Sequence, residues 1–350
     1  LGEVVPAPSL KLDSVLKTSG SSRFRAIALA ILASFVLGGC ATLPADAPVE
    51  KVDYKTCLIT QGDALGRATG LNELSEYGVK QAVVTYGVGL ESASSSSAKY
   101  NSDLKNLAKK NCNSIVVSGP DFGALVAASA VANPGINFLY IGTAQNPARV
   151  DGSIGNLAVY EVDLVEAGMV QGYLAASISK VHRIGLYQQP IVVDGGIQAG
   201  VRAGARIFDE DNKTQTSVLD VVALLADYSM PGSVDVALIP SNANLDVAIP
   251  ELVNSKANII ALGGDAYENE FFKEVRSQLF TSVRPEVATR IMEMIAADLE
   301  GEFIGGTLGS TIATFGNGGI KLTPEHEQNY PAGLLDAIKH FTLDYETKTR

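Results

Sequence analysis

The chain has 350 residues, 46% of them hydrophobic and 19% charged, which is enough apolar material for one large or two medium cores and excludes a chain disordered throughout. Lys and Arg number 27 against 38 Asp and Glu, a formal charge of -11 that repels a polyphosphate and excludes nucleic acid as the main partner. Three Cys and three His are too few for a disulfide-stapled scaffold or a zinc site built on imidazole, so no metal and no cofactor is expected.

Residues 1–25 carry Lys11, Lys17, Arg23 and Arg25, and an apolar stretch follows from Ala26 to Leu37. Twelve residues rise about 18 Å as a helix, short of a hydrocarbon core of roughly 30 Å, so the layout predicts an export signal over residues 1–39 in place of a permanent span. Leu37-Gly38-Gly39-Cys40 resembles the bacterial lipobox, which implies acylation of Cys40. Each acyl chain contributes about 0.8 kcal/mol per buried CH₂, and several hold a domain on a membrane. Residues 40–52, with two prolines and no apolar period, are expected to be the lipidated tether.

Beyond Lys51, short Val- and Ile-rich runs alternate with helix-length segments, the pattern of parallel strands covered by helices on both faces. Strands are predicted at residues 56–60, 82–86, 114–118, 137–141 and 157–162, and in a second series at 183–187, 214–219, 234–240, 258–262 and 278–282. Helices are predicted over 69–81, 102–110, 123–132, 164–180, 196–208, 245–255 and 285–300. Two series of about five strands predict two similar lobes with a binding cleft between them. The serine-rich stretch Glu91 to Ala98 is expected to be a solvated loop. On the helix over 164–180, Gly168, Gly172 and Ala176 fall on one face, a device for close backbone packing.

The turn after the first strand, Gln61-Gly62-Asp63-Ala64-Leu65-Gly66-Arg67-Ala68-Thr69-Gly70-Leu71-Asn72, is neither a dinucleotide fingerprint nor a P-loop. It places a loop and a helix start at the carboxyl end of a strand, where small ligands meet backbone N–H groups. No nucleophile elbow, His-Glu-x-x-His or Cys-x-x-Cys is present in the sequence, so no hydrolase or zinc mechanism is indicated. His182 precedes a predicted strand, at the end away from the expected crevice. Cys57 and Cys112 neighbour each other if the strand order is 2-1-3-4-5; an exported chain permits a disulfide there, and two small buried apolar side chains are the alternative.

The stretch from Glu166 to Lys180, EAGMVQGYLAASISK, with Arg183 to Leu186, Ala199 to Ala205, Gly301 to Thr307 and Gly316 to Pro324, resembles the basic membrane protein family, lipid-anchored substrate-binding proteins of ABC importers whose characterised relatives bind purine nucleosides. The resemblance implies an α/β fold of two Rossmann-like lobes with parallel sheets, the type I periplasmic-binding-protein clamshell. It implies a first lobe over 53–160, joined by a segment crossing back over about 280–310, and a second lobe over 161–279 and 311–350. It also implies capture without chemistry, with an ABC permease and ATPase as partners, or else a sensor on the same fold that feeds no permease.

Carried over residue by residue, the resemblance implies ligand contacts from several positions. The family's Ser-Phe-Asn falls on Gly70-Leu71-Asn72, which keeps the amide of Asn72 and replaces the stacking aromatic with Leu71. Its loop aspartate falls near Ala124, with Asp121 and Phe122 as shifted candidates. Its paired glycines fall on Gln188 and Gln189. Its Gly-x-Asp falls on Gly263-Gly264-Asp265, where the carboxylate either accepts two ribose hydroxyls or caps a helix. Its lysine has no counterpart, and Arg284 is the nearest cation.

Overall fold

The computed structural model describes residues 51–62, 70–145, 150, 153–188, 195–222, 234–240, 253, 255–264, 266–267, 270–323 and 330–349. The export segment and residues 40–50 of the tether, Cys40 among them, lie outside these residues. Val49–Arg350 forms a compact unit.

Among the described residues the strands form two six-stranded sheets. The first contains β1 (Lys55–Gln61), β2 (Gly89–Ser95), β3 (Ser114–Ser118), β4 (Asn137–Thr143), β5 (Leu157–Val162) and β11 (Thr311–Ala313), in the order β11-β5-β4-β3-β1-β2. The second contains β6 (Arg183–Gln188), β7 (Ser217–Val222), β8 (Val236–Pro240), β9 (Asn258–Leu262), β10 (Leu279–Pro285) and β12 (Ile320–Leu322), in the order β12-β10-β9-β8-β6-β7. Every pairing is parallel except β10 with β12. Each lobe thus repeats the doubly wound 2-1-3-4-5 order. The central strands are largely apolar because both faces are covered, and β3 and β5 are buried at every residue.

The second strand lies later than the sequence predicts. Residues 82–86 end helix α1 (Leu71–Tyr86), with Val79 and Ala82 buried at helical spacing and Val84 67% exposed. Gly87, at φ 71°, closes the helix and donates its N–H to the Val83 carbonyl. The serine-rich stretch expected as a loop supplies β2 instead, paired in register with β1 from Lys55–Gly89 to Gln61–Ser95. As an edge strand, mostly exposed or half-buried, β2 needs no apolar run, so its composition resembles a loop.

The chain passes between the lobes three times. It crosses first at Asp163, from β5 into helix α4 (Leu164–Ile178), and again at Glu286, from β10 into helix α6 (Val287–Leu299), which packs on α1. The third passage joins β11 to β12. The return to the second lobe therefore comes after Ala313, not at 311, because three-residue β11 extends the first sheet alongside β5. A three-residue strand has too little length to show a period of two. The C-terminal helix α7 (Leu334–Thr349), also unanticipated, covers α4, with Phe341 4.8 Å from the Tyr173 ring.

Two stripes of glycine lock α4 to helix α5 (Gly195–Asn212). A methyl group on Gly168 or Gly172 would collide with the carbonyl oxygens of Ile197 and Val201, and one on Gly200 or Gly204 with those of Val165 and Met169. The stripe predicted on α4 therefore meets a complementary stripe on its partner, and backbone lies directly on backbone. We expect Gly172→Ala to destabilise the fold by about 1–3 kcal/mol in urea unfolding. Gly135→Ala, where the added carbon meets open space, should change stability by less than about 0.5 kcal/mol.

Cys57 on β1 and Cys112, just before β3, form a disulfide that closes a 55-residue separation. Of the two readings open in the sequence, the structure therefore shows the bond. Reduction, or replacement of both Cys by Ala, should lower unfolding stability by about 2–4 kcal/mol, measured with and without reductant.

Candidate functional site

In a doubly wound sheet the loops after the strands on either side of the switch point diverge and leave a crevice at the carboxyl edge. In the first lobe that point lies between β1 and β3, and its centre is Gln61, the last residue of β1. Gln61 is fully buried. Its Nε2 donates to Asp121 Oδ2 at 3.0 Å, its Oε1 accepts from the Asp121 backbone N–H at 3.1 Å, and its carbonyl accepts from Asn72 Nδ2 at 2.7 Å. One residue, through its backbone carbonyl on one side and its side chain on the other, thus joins the start of α1 to the turn after β3. Beside it, Ser75 donates to Ser118, the last residue of β3, at 3.0 Å.

Asn72 lies in the first turn of α1 and is only 6% exposed. Because its Nδ2 is committed to a carbonyl, which only accepts, its Oδ1 points the other way; this oxygen is buried and accepts no hydrogen bond among the described residues. The other residues singled out in this lobe lie deeper. Leu71 is fully buried in the main core. Phe122 is fully buried in the second core cluster, its ring centroid 4.4 Å from that of Tyr100, so its aromatic surface packs behind the rim. Asp121, by contrast, stands exposed on the rim.

Across the cleft, the loop after β9 carries Gly263, at φ 118°, whose N–H donates to the Val283 carbonyl at 3.0 Å. The Ala266 N–H donates to Ser282 Oγ at 3.1 Å. This loop reaches the other lobe, since a Cβ added to Gly70 would stand 3.7 Å from Gly263 Cα. The start of α1, with Asn72, and the loop that carries Asp265 therefore face each other. Asp265 and Gln189 lie outside the described residues. Gln188 ends β6, in register with Val222.

Arg284 belongs to the hinge. Its Nε donates to Glu286 Oε1 at 3.0 Å, and Lys321 approaches the other carboxylate oxygen at 3.4 Å. Burial opposes ionisation of Glu286, but the Thr289 hydroxyl and the Arg284 and Lys321 cations outweigh it and hold the carboxyl below the usual carboxylate range. The Glu286 N–H donates to the Gly319 carbonyl at 2.9 Å, so this cluster ties the second passage between lobes to the third.

Sequence reasoning passed over Gln61 and Glu286. For Gln61 the available signal was a polar residue closing an otherwise apolar strand at the switch point. For Glu286 it was an acid between Arg284 and the helix that follows Pro285. No group of His, Cys, Asp or Glu among the described residues is arranged to hold a metal ion, and no described helix is long and apolar enough to cross a membrane.

Two doubly wound lobes, three passages between them and facing loops at the carboxyl edges make up the type I periplasmic-binding-protein fold. The model of the Bmp family, ABC transporter substrate-binding protein PnrA-like, matches residues 67–223, from the approach to α1 to the end of β7. That stretch is similar to the substrate-binding domain the family model describes. The fold of the chain is similar to that of an ABC transporter solute-binding protein from Aeropyrum pernix K1, at TM-score 0.61 and 16% identity, over 84% of this chain and 86% of that one. It is also similar to an ABC transporter solute-binding protein from Conexibacter woesei, at TM-score 0.59 and 14% identity, over 85% and 97% of the two chains. A transcriptional activator of the comK gene from Bacillus halodurans shares the fold at TM-score 0.59 and 17% identity, over 83% and 97%. No curated protein matches the chain.

The lowered Glu286 carboxyl contributes stability that is complete above its ordinary value of 4.5 and is lost as the pH falls through the folded-state value. Glu286→Gln should therefore cost about 1.5–3 kcal/mol in urea unfolding at neutral pH, with the difference from the parent chain shrinking as the pH is taken below 4.5.

Proposed function

We propose that the chain is a lipid-anchored receptor of an ABC importer, held outside the cell membrane through Cys40, and that it captures a nucleoside or a similarly sized polar ring compound between its lobes. The observation that carries the ligand site is the buried Asn72 Oδ1, an acceptor without a donor among the described residues, where the start of one lobe's helix meets a loop of the other. A buried polar atom of this kind requires an explanation, and a partner supplied by a guest molecule is one. Asp121, on the rim beside it, and Asp265, on the facing loop, are the carboxylates that meet ribose or base donors, with Gln188 and Gln189 on the second lobe's side. Arg284 acts through the hinge and not on the guest. A ligand that touches both lobes favours the closed form by its differential contacts, and the permease and ATPase respond to that form.

The chain from residue 41 onward should show a melting temperature about 5–10 °C higher with at least one nucleoside at a hundred times its Kd. Flat melting curves across nucleosides, bases, sugars and amino acids would remove the capture reading. For the anchor, the parent chain expressed in a bacterium should partition into detergent on Triton X-114 phase separation and Cys40→Ala into water. Equal partitioning of the two would remove the lipid.

A further inference from the structure

We propose that Gln61 is a positioning residue that fixes the hydrogen-bond polarity of the first lobe's half of the cleft, so that the part of the guest seated there is an N–H or O–H donor. This rests on the capture reading and names the chemistry of the same site.

The amide of Gln61 has no freedom to flip. An ionised carboxylate only accepts and a backbone N–H only donates, so Asp121 forces Nε2 toward its Oδ2 and Oε1 toward its N–H. Room for this side chain is built in at Gly119, at φ 136°, where an added Cβ would lie 2.7 Å from Gln61 Oε1. The Gln61 carbonyl then fixes the neighbouring amide, because it takes the Asn72 Nδ2 donor and leaves the Asn72 Oδ1 acceptor turned away. The two groups fixed at this edge are a buried amide oxygen and a held carboxylate, both acceptors. A guest group with only lone pairs would leave Asn72 Oδ1 unpaired and set oxygen against oxygen.

Calorimetry on the full chain with adenosine, N6,N6-dimethyladenosine and 2′,3′-dideoxyadenosine tests this, since the two analogues delete donors at opposite ends. One of them should bind at least about tenfold more weakly than adenosine, and Asn72→Leu should shrink that ratio toward one. Gln61→Met should weaken adenosine by a similar factor. Gln61→Glu should bind weakly at pH 8, where two carboxylates oppose each other, and recover toward the parent value near pH 5, where a protonated carboxyl reproduces the amide's donor and acceptor. A side chain needed only for packing would give no such recovery.

Equal binding of all three probes, or unchanged binding in both Gln61 variants, would overturn the proposal. If adenosine does not bind the parent chain, the nucleoside reading fails, and the proposal is then decided without ligand. By ¹³C NMR the Asp121 carboxyl should titrate higher in Gln61→Met, which lacks the Nε2 donor to its ionised form, or in Gln61→Glu if the Met variant does not fold. An unmoved titration overturns the proposal in that case also.

Discussion

A parallel sheet buried on both faces can place its chain reversals only at its two ends, and that constraint organises this molecule. β3 has no exposed residue, so the chain satisfies its polar needs beyond the strand's last carbonyl. In the first lobe the carboxyl edge collects Gln61, Asn72, Ser118 and Asp121, each bonded to another of the group or to Ser75. The site is a by-product of the sheet: residues that would be costly inside it gather where it ends.

Two such edges become a cleft only if the lobes are joined so that they face each other. Three passages do this, and they are not equivalent. The first, at Asp163, is held by a side-chain cap: Asp163 Oδ1 accepts from the Glu166 N–H at 3.0 Å, and Gln145 donates to the same oxygen at 2.8 Å. The second and third are tied by the Glu286 cluster, whose partners come from both passages. Within the second lobe the glycine stripes of α4 and α5 remove side-chain freedom from the contact entirely. A rigid second lobe and a polar hinge form a sensible division, because ion pairs and single hydrogen bonds tolerate small rotations better than interdigitated backbones do.

Much of this order was legible in the sequence, and the failures share a cause. β5 and β9 fall within their predicted bounds to the residue, because a run such as Ile259 to Leu262 is apolar throughout and ends in a glycine loop. The 2-1-3-4-5 order made Cys57 and Cys112 neighbours before any coordinates. What stayed hidden was set by position in the sheet and not by local pattern. β2 is an edge strand with a loop's composition, β11 and β12 are too short to show a period, and Val83-Val84 has strand propensity yet completes a helix whose other face is buried. At the site, resemblance directed attention to Leu71 and Phe122, which the fold spends on its cores, while Gln61, a single polar letter at the end of an apolar word, holds the rim together. Its role depends on two partners 11 and 60 positions away, a relation that no window of sequence contains.

The polar rim also bears on how a binding protein differs from an enzyme on similar lobes. Catalysis requires a nucleophile or base whose reactivity is raised by its surroundings, with a second group to orient it. Gln61 and Asn72 cannot ionise, and the Gln61 side chain and carbonyl and the Asn72 Nδ2 are committed to holding the rim together. On the proposed reading, what remains for a guest is fixed polarity, which would discriminate among molecules by whether they complete the pattern. On that reading, an acceptor buried and unpaired among the described residues costs the empty protein free energy and returns it when a donor arrives, so the same atom would both select the guest and favour the enclosed state. Selection and closure then draw on one interaction, and a receptor built this way gains affinity from a defect in its own hydrogen bonding.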